Sequence, residues 1–137
     1  MKVLVMYAKY FAFRPGEKTI AEAPEVKEGS HISNCIVAFI QVETDDEEKD
    51  LTTREKKLTN HLKWTLRKNN CQKIVLHSFS HLSDSKASIG FTQSLLNAAE
   101  LRLQNSGYET TQTPFGYFLD LEIKAPGFSL ARIWASL

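Results

Sequence analysis

The sequence predicts an α/β chain of the α+β kind, a mixed β-sheet core carrying two main helices. Three observations predict it. Cys35 to Val42 is a nearly continuous apolar run, Leu51, Leu58, Leu62 and Leu66 recur at helical intervals, and Tyr117 to Lys124 alternates strictly. The first pattern marks a strand buried on both faces, the second an amphipathic helix, and the third a strand whose residues sort alternately onto two faces.

In chain order, Lys2 to Ala8 is a short β-branched and apolar run suited to a buried strand. Residues 9 to 31, with Pro15-Gly16, Pro24 and Gly29-Ser30, show no clean period and read as a long excursion or an irregular hairpin. The strand Cys35 to Val42 follows. Thr52 and Glu55 have capping-box spacing ahead of the leucine-rich helix, which Asn69-Asn70 closes. Lys56, Lys63 and Arg67 fall on a different stripe of that helix, and the acidic run Glu43 to Glu48 reads, like them, as solvated surface. Lys73 to His77 forms the next strand. A second helix starts near Ser88, turns Ile89, Leu95, Leu96, Ala99 and Leu103 inward, and stops at Asn105-Ser106-Gly107. Tyr108 to Gln112 is a further strand. Tyr117, Leu119, Leu121 and Ile123 then share one face of the regular alternating strand. Ala125-Pro126-Gly127-Phe128 reads as a type II hairpin turn, and Phe128 to Leu137 as the returning strand. The order is ββαβαβββ.

At 137 residues the chain is about one domain, able to bury roughly two thirds of its unfolded surface in one core. There is no repeat and no low-complexity linker. The apolar ending Trp134-Ala135-Ser136-Leu137 is expected of either a tucked terminus or a piece cut from a longer chain. A net charge of +1 excludes a general basic footprint, while leaving room for a nucleic acid held at one end by a local patch. No apolar run approaches the roughly 20 residues of a membrane helix, and the start is too quickly polar for a signal peptide. A cytoplasmic location with no membrane partner is expected. Cys35 and Cys71 match neither a disulfide scaffold nor a zinc site, so two free thiols are expected.

No dinucleotide, P-loop, zincin or α/β-hydrolase signature occurs. His77 and His81 straddle a strand end and a loop rather than one helix face, without a third ligand at metal-binding spacing, so no metal is expected. Two segments stand out instead. Phe79-Ser80-His81-Leu82-Ser83 leaves a strand and puts an imidazole beside hydroxyls, where it can hold a water or a sugar hydroxyl. It is equally readable as a satisfied loop. Pro114-Phe115-Gly116-Tyr117-Phe118 is either a β-turn with aromatic anchors or a backbone cradle. In the second reading Gly116 admits a ligand to the main chain while Phe115 and Tyr117 offer faces to an adenine or ribose.

Val3-Leu4-Val5, Ile36 to Glu43, Phe79 to Ser83 and Pro114-Phe115-Gly116-Tyr117, in this order and spacing, resemble the N-terminal editing domain of archaeal threonyl-tRNA synthetases. The resemblance covers nearly the whole chain. It implies a barrel-like core and a fold like that of the D-aminoacyl-tRNA deacylases, a homodimer, and hydrolysis of serine mischarged onto threonine tRNA by an enzyme without a cofactor. It places the pocket among Ala38-Phe39, Ser80-His81 and Phe115-Gly116-Tyr117. His81, Phe115, Gly116 and Tyr117 are then the catalytic positions, and Ala38, Phe39, Ser80, Pro114 and Phe118 the substrate contacts. The expected partners are the seryl-bearing 3′ end of tRNA(Thr), a second copy of the chain, and the remaining synthetase domains in cis or in trans. The dimer edge is expected on the Val3 strand or the returning C-terminal strand. Leu119 stands where the family often has lysine, Phe118 where it tends to have tyrosine, and Arg132 where glutamate is common, so a mechanism using that lysine or glutamate as proton carrier does not transfer. Three other readings stay open: a D-aminoacyl-tRNA deacylase, a non-catalytic tRNA-binding or dimerisation module, and an unrelated small α/β domain.

Overall fold

A computed structural model describes residues 1–137. In order, the elements are β1 (Lys2–Lys18), β2 (Ser30–Gln41), α1 (Thr44–Glu47), α2 (Leu51–Lys68), β3 (Lys73–Ser78), α3 (Ile89–Asn105), β4 (Glu109–Gln112), β5 (Tyr117–Lys124), a 3-10 turn (Ser129–Ala131) and β6 (Arg132–Ser136). The sheet runs β4-β3-β2-β1-β5, with β6 also on β1. The β2–β3 and β3–β4 pairs are parallel and the rest antiparallel. Each parallel pair is joined by a long helix, as its crossover requires.

The mixed α+β class and the expected order hold, with α1 added. One face of the sheet packs Val3, Val5, Ile36, Ala38 and Ile40 against Leu58, Leu62 and Leu66 of α2 and Leu95, Leu96, Ala99 and Leu103 of α3. The other face gathers Ala8, Phe11, Phe13, Cys35, Val37, Phe39 and Val75. Cys35 through Ile40 are all buried, so β2 is covered on both sides as its apolar run demands.

Where sequence and structure part, the reasons are local. β1 runs to Lys18 rather than ending at Ala8, and β2 starts at Ser30. Between Ala8↔Cys35 and Tyr10↔Ser33 the ladder skips Lys9 and Asn34, and Asn34 takes φ 53°. Across that point both strands exchange faces: Val3 and Val5 face the helices, while Phe11 and Phe13 face the other way. A strand that changes its buried parity shows no period of two across the change. The irregular-hairpin reading of residues 9 to 31 therefore describes the pairing, although most of that stretch is strand.

The start of α2 is also corrected. Its cap is Asp50, which accepts from the Thr53 N–H, and Glu55 is buried against Arg102 of α3 at 2.5 and 2.8 Å instead of reaching back. The acidic run is not wholly solvated: Asp46 is buried, 2.5 Å from Arg54 and 3.1 Å from the Met1 ammonium. Ile89 lies exposed at the first position of α3. Both long helices end as the sequence announces. Asn70 (φ 49°) and Gly107 (φ 93°) occupy the left-handed position after α2 and α3. The Cys71 N–H reaches the Leu66 carbonyl, and the Tyr108 N–H that of Leu103.

β6 does not return on β5. It pairs with residues 2 to 6 of β1, whereas β5 pairs with residues 10 to 18 of the same strand. Gly127 has no positive φ, so the type II turn is not formed, and a 3-10 turn carries the chain across. The Val3 stretch thus lies between β2 and β6 and offers no free edge, while β6 pairs on one side only. No helix is long and apolar enough to cross a membrane. Cys35 and Cys71 are free and buried, and burial, with the second thiol nearby, pushes Cys35 up to about 12.

Candidate functional site

The parallel strands β2 and β3 end at Gln41 and Ser78, and the chain beyond such carboxyl ends is where open sheets place ligands. Here a cleft of about 160 Å³ opens. His77, Ser78, Phe79, Ser80 and His81 line one wall, and Pro114, Phe115, Gly116, Tyr117, Phe118, Leu119 and Leu121 the other, where Thr19 and Ile20 stand against Gly116. A second hollow of about 130 Å³ continues from it, sharing Ser78, Phe79, Ser80 and Phe115. Larger surface hollows, about 450 and 380 Å³, lie at Lys73–Val75 with Glu109, and between α2 and α3. Neither contains these two segments.

Seven of the nine residues singled out in the sequence therefore meet around one small cavity: Ser80, His81, Pro114, Phe115, Gly116, Tyr117 and Phe118. Ala38 and Phe39 do not line it. Ala38 is fully buried on the helix side of β2, and Phe39 supports the site from below, edge-on to His77 at 5.3 Å and to Phe79 at 5.2 Å between ring centroids. Phe79 in turn meets His81 edge-on at 5.2 Å. The His81 ring makes no hydrogen bond inside the protein, so its nitrogens are open to a ligand.

The loop carrying His81 is held by a residue that the sequence patterns did not reveal. Gln41 is buried at the end of β2, and its Oε1 accepts from the Leu82 and Ser83 N–H groups at 2.6 and 2.8 Å. Its Nε2 donates to the Ser83 and Ser85 carbonyls at 2.8 and 2.9 Å. One amide thus satisfies four backbone groups, which makes the loop a fixed wall. A polar side chain closing an apolar strand was the available signal. The Ser83 hydroxyl is also engaged, donating to Glu43 at 2.8 Å. Burial alone would push Glu43 up, but hydrogen bonds from the chain's ammonium, Ser83 and Lys2 outweigh it and hold the carboxyl at about 2.

The opposite wall owes its shape to Gly116, at φ 87°. A Cβ there would stand 2.9 Å from the Ala23 Cβ and 3.3 Å from the Ile20 Cβ. The Gly116 carbonyl accepts from the Thr19 N–H at 2.8 Å, and the Tyr117 hydroxyl donates to the Pro24 carbonyl at 2.6 Å and accepts from the Val26 N–H at 3.0 Å. The Tyr117 hydroxyl is thus committed to the 19–29 excursion, and what this wall leaves free is backbone. The N–H groups of Phe115 and Gly116 have no partner within the fold. Two adjacent amides of this kind can receive a carbonyl oxygen or an oxyanion. Leu119 lines the cleft without charge, and Arg132 is turned to the Pro126 carbonyl at 2.7 Å, outside it. Neither supplies a proton carrier in place of the absent lysine and glutamate.

His77 is a buried histidine at this end of the core. Its Nδ1 lies 2.9 Å from Thr113 Oγ1, and burial lowers it to about 4, so it is neutral at physiological pH. No group of three or more His, Cys, Asp or Glu side chains converges to hold a metal ion.

The family described as the archaea-specific editing domain of threonyl-tRNA synthetase matches residues 1–137. The threonine–tRNA ligase of Methanococcus maripaludis strain S2 is 30% identical over 134 residues, covering 97% of this chain and 21% of the ligase. That of Methanosphaera stadtmanae is 29% identical over 135 residues, covering 97% and 22%. The chain spans about a fifth of the length of these curated relatives. Among solved structures, the c-Myc DNA Unwinding Element Binding Protein aligns with a TM-score of 0.57 at 15% identity, covering 100% of this chain and 99% of that one, a likeness of fold alone. With two of the four resembling segments lining one cleft and a family match along its whole length, the chain belongs to the archaea-specific editing domains of threonyl-tRNA synthetase.

Proposed function

We propose that this domain hydrolyses L-serine from mischarged tRNA(Thr), by attack of a bound water on the 3′-terminal aminoacyl ester. The observation that carries the reading is that His81 and two residues with unpartnered amides, Phe115 and Gly116, line one 160 Å³ cleft. That volume is below the range of pockets that engulf a drug-sized ligand. It suits an aminoacyl group, with the terminal adenosine lying at the mouth beside the exposed Phe118 ring.

The need for such a site is physical. Serine lacks one methyl of threonine, a difference worth about 1 to 3 kcal/mol, and a site built for the larger amino acid cannot refuse the smaller one. A second pocket too tight for the methyl completes the sieve. In this reading His81 orients the water and the ester, the two amides stabilise the developing oxyanion, and the tRNA's 2′-hydroxyl relays the water's proton to the departing 3′-oxygen, so that free serine and a 3′-hydroxyl are the products. No side-chain nucleophile takes part: the Cys35 thiol is buried and held protonated, and the Ser83 hydroxyl is tied to Glu43. The chain acts as one editing unit, paired with a second copy and with the other synthetase domains in cis or in trans.

Single-turnover deacylation of L-seryl-, L-threonyl- and D-aminoacyl-tRNA(Thr) tests this. Rapid loss of the seryl ester, slow loss of the threonyl ester and at least a hundredfold slowing by His81→Ala are expected. Cys35→Ala and Ser83→Ala should retain most of the rate; abolition by either would expose a covalent mechanism. Preference for D-esters would move the reading to chiral proofreading. Leu119, an uncharged residue in the cleft, favours a second reading, a non-catalytic tRNA-binding module. Capture of a stable seryl-adenosine analogue without any turnover is its signature.

A further inference from the structure

His77 has no part in the mechanism above, yet it occupies the buried end of the same cleft. Three contacts fix its ring. Phe39 stands edge-on at 5.3 Å, Phe79 lies 5.7 Å away, and the Thr113 hydroxyl meets Nδ1 at 2.9 Å. Thr113 is itself buried, and its hydroxyl has no other partner. A buried O–H without a second acceptor is satisfied only if it donates to Nδ1, which leaves the imidazole proton on Nε2. Nε2 has no partner in the protein and is not among the solvent-shielded orphan atoms, Arg54 Nε and His61 Nε2, so it opens onto accessible space. For His77 that space is the cleft.

We propose that His77 is a specificity-determining residue, its Nε2–H donating to the side-chain hydroxyl of the bound aminoacyl group, with Thr113 as the residue that positions it. This rests on the editing reading and adds to it. Steric exclusion of the methyl rejects threonine, but does nothing to distinguish serine from alanine or glycine. A donor at the closed end rewards the hydroxyl. Because burial lowers the ring to about 4, it remains an uncharged donor at physiological pH and does not draw the ester carbonyl oxygen away from the Phe115 and Gly116 amides.

The test compares single-turnover hydrolysis of L-seryl- and L-alanyl-tRNA(Thr) by the wild-type chain, His77→Leu, His77→Gln and Thr113→Val. Leucine removes the donor at similar bulk, and glutamine restores an N–H at about the same reach. The seryl-over-alanyl rate ratio should fall about tenfold in His77→Leu, the worth of one hydrogen bond. It should recover partly in His77→Gln and fall in Thr113→Val, with alanyl hydrolysis unchanged throughout. A purely structural role would slow both esters together, and that result, or an unchanged ratio in both His77→Leu and Thr113→Val, overturns the assignment. Thr113→Val keeps the question answerable if a His77 variant fails to fold. A wild-type chain inert toward the seryl ester refutes the editing reading itself and this inference with it, whereas an active wild type with insensitive variants refutes only the role of His77.

Discussion

Replacing Gly116 by alanine tests how far the cleft depends on one backbone conformation. At φ 87° an L-residue carries a steric penalty of about 1 to 2 kcal/mol. The new methyl would also stand 2.9 Å from the Ala23 Cβ and 3.3 Å from the Ile20 Cβ, neither of which ends a flexible side chain. Overpacking of this kind costs about 1 to 3 kcal/mol. The lower entropy of the unfolded chain returns about 0.4 to 1 kcal/mol. The net is a loss of about 3 kcal/mol, or roughly a 10 °C fall in melting temperature for a chain of this size. Thermal unfolding followed by circular dichroism measures it, with Gly90→Ala as the control. Gly90 lies in α3 without a positive φ, and a methyl added there would meet nothing within 4 Å, so alanine should be neutral or slightly stabilising. Since the Gly116 carbonyl anchors Thr19, the loss should be accompanied by slower ester hydrolysis. Melting of Gly116→Ala within about 2 °C of wild type would refute the argument that this turn is sterically fixed.

Other perturbations follow from the same contacts. Tyr117→Phe deletes the hydroxyl that bridges Pro24 and Val26 and should lower stability by about 1 kcal/mol; limited proteolysis should show faster cutting between residues 19 and 29, and unchanged cutting would refute the anchoring role. Stability should fall in two acid steps. His77, neutral in the fold, binds its proton less readily than the unfolded chain does, so its contribution is lost as pH drops from 6.5 toward about 4. Glu43, held charged, contributes fully above 4.5 and loses that contribution as pH falls toward about 2. Urea midpoints against pH should lose the lower step in Glu43→Gln and the upper one in His77→Leu, and persistence of either step would show that another group titrates there.

The sequence alone determined the elements whose signals are local. The two helices, their left-handed stops at Asn70 and Gly107, the doubly buried β2 and the alternation of β5 each depend on periodicity or on one residue's backbone freedom. It also marked the two segments that line the cleft, because an imidazole among hydroxyls and a Pro-Phe-Gly-Tyr turn are unusual wherever they fall. Tertiary structure decided whatever depends on a partner distant in sequence. β6 joins β1 instead of β5, Glu55 meets Arg102 instead of capping its own helix, and Lys9 with Asn34 turns two strands over at once. The same holds within the cleft: Gln41 clamps a loop about forty residues away, the Tyr117 hydroxyl is spent on Pro24 and Val26, and Thr113 fixes the ring of His77. A hydrogen bond or a steric contact has no periodicity to betray it, and only the folded chain brings its two ends together.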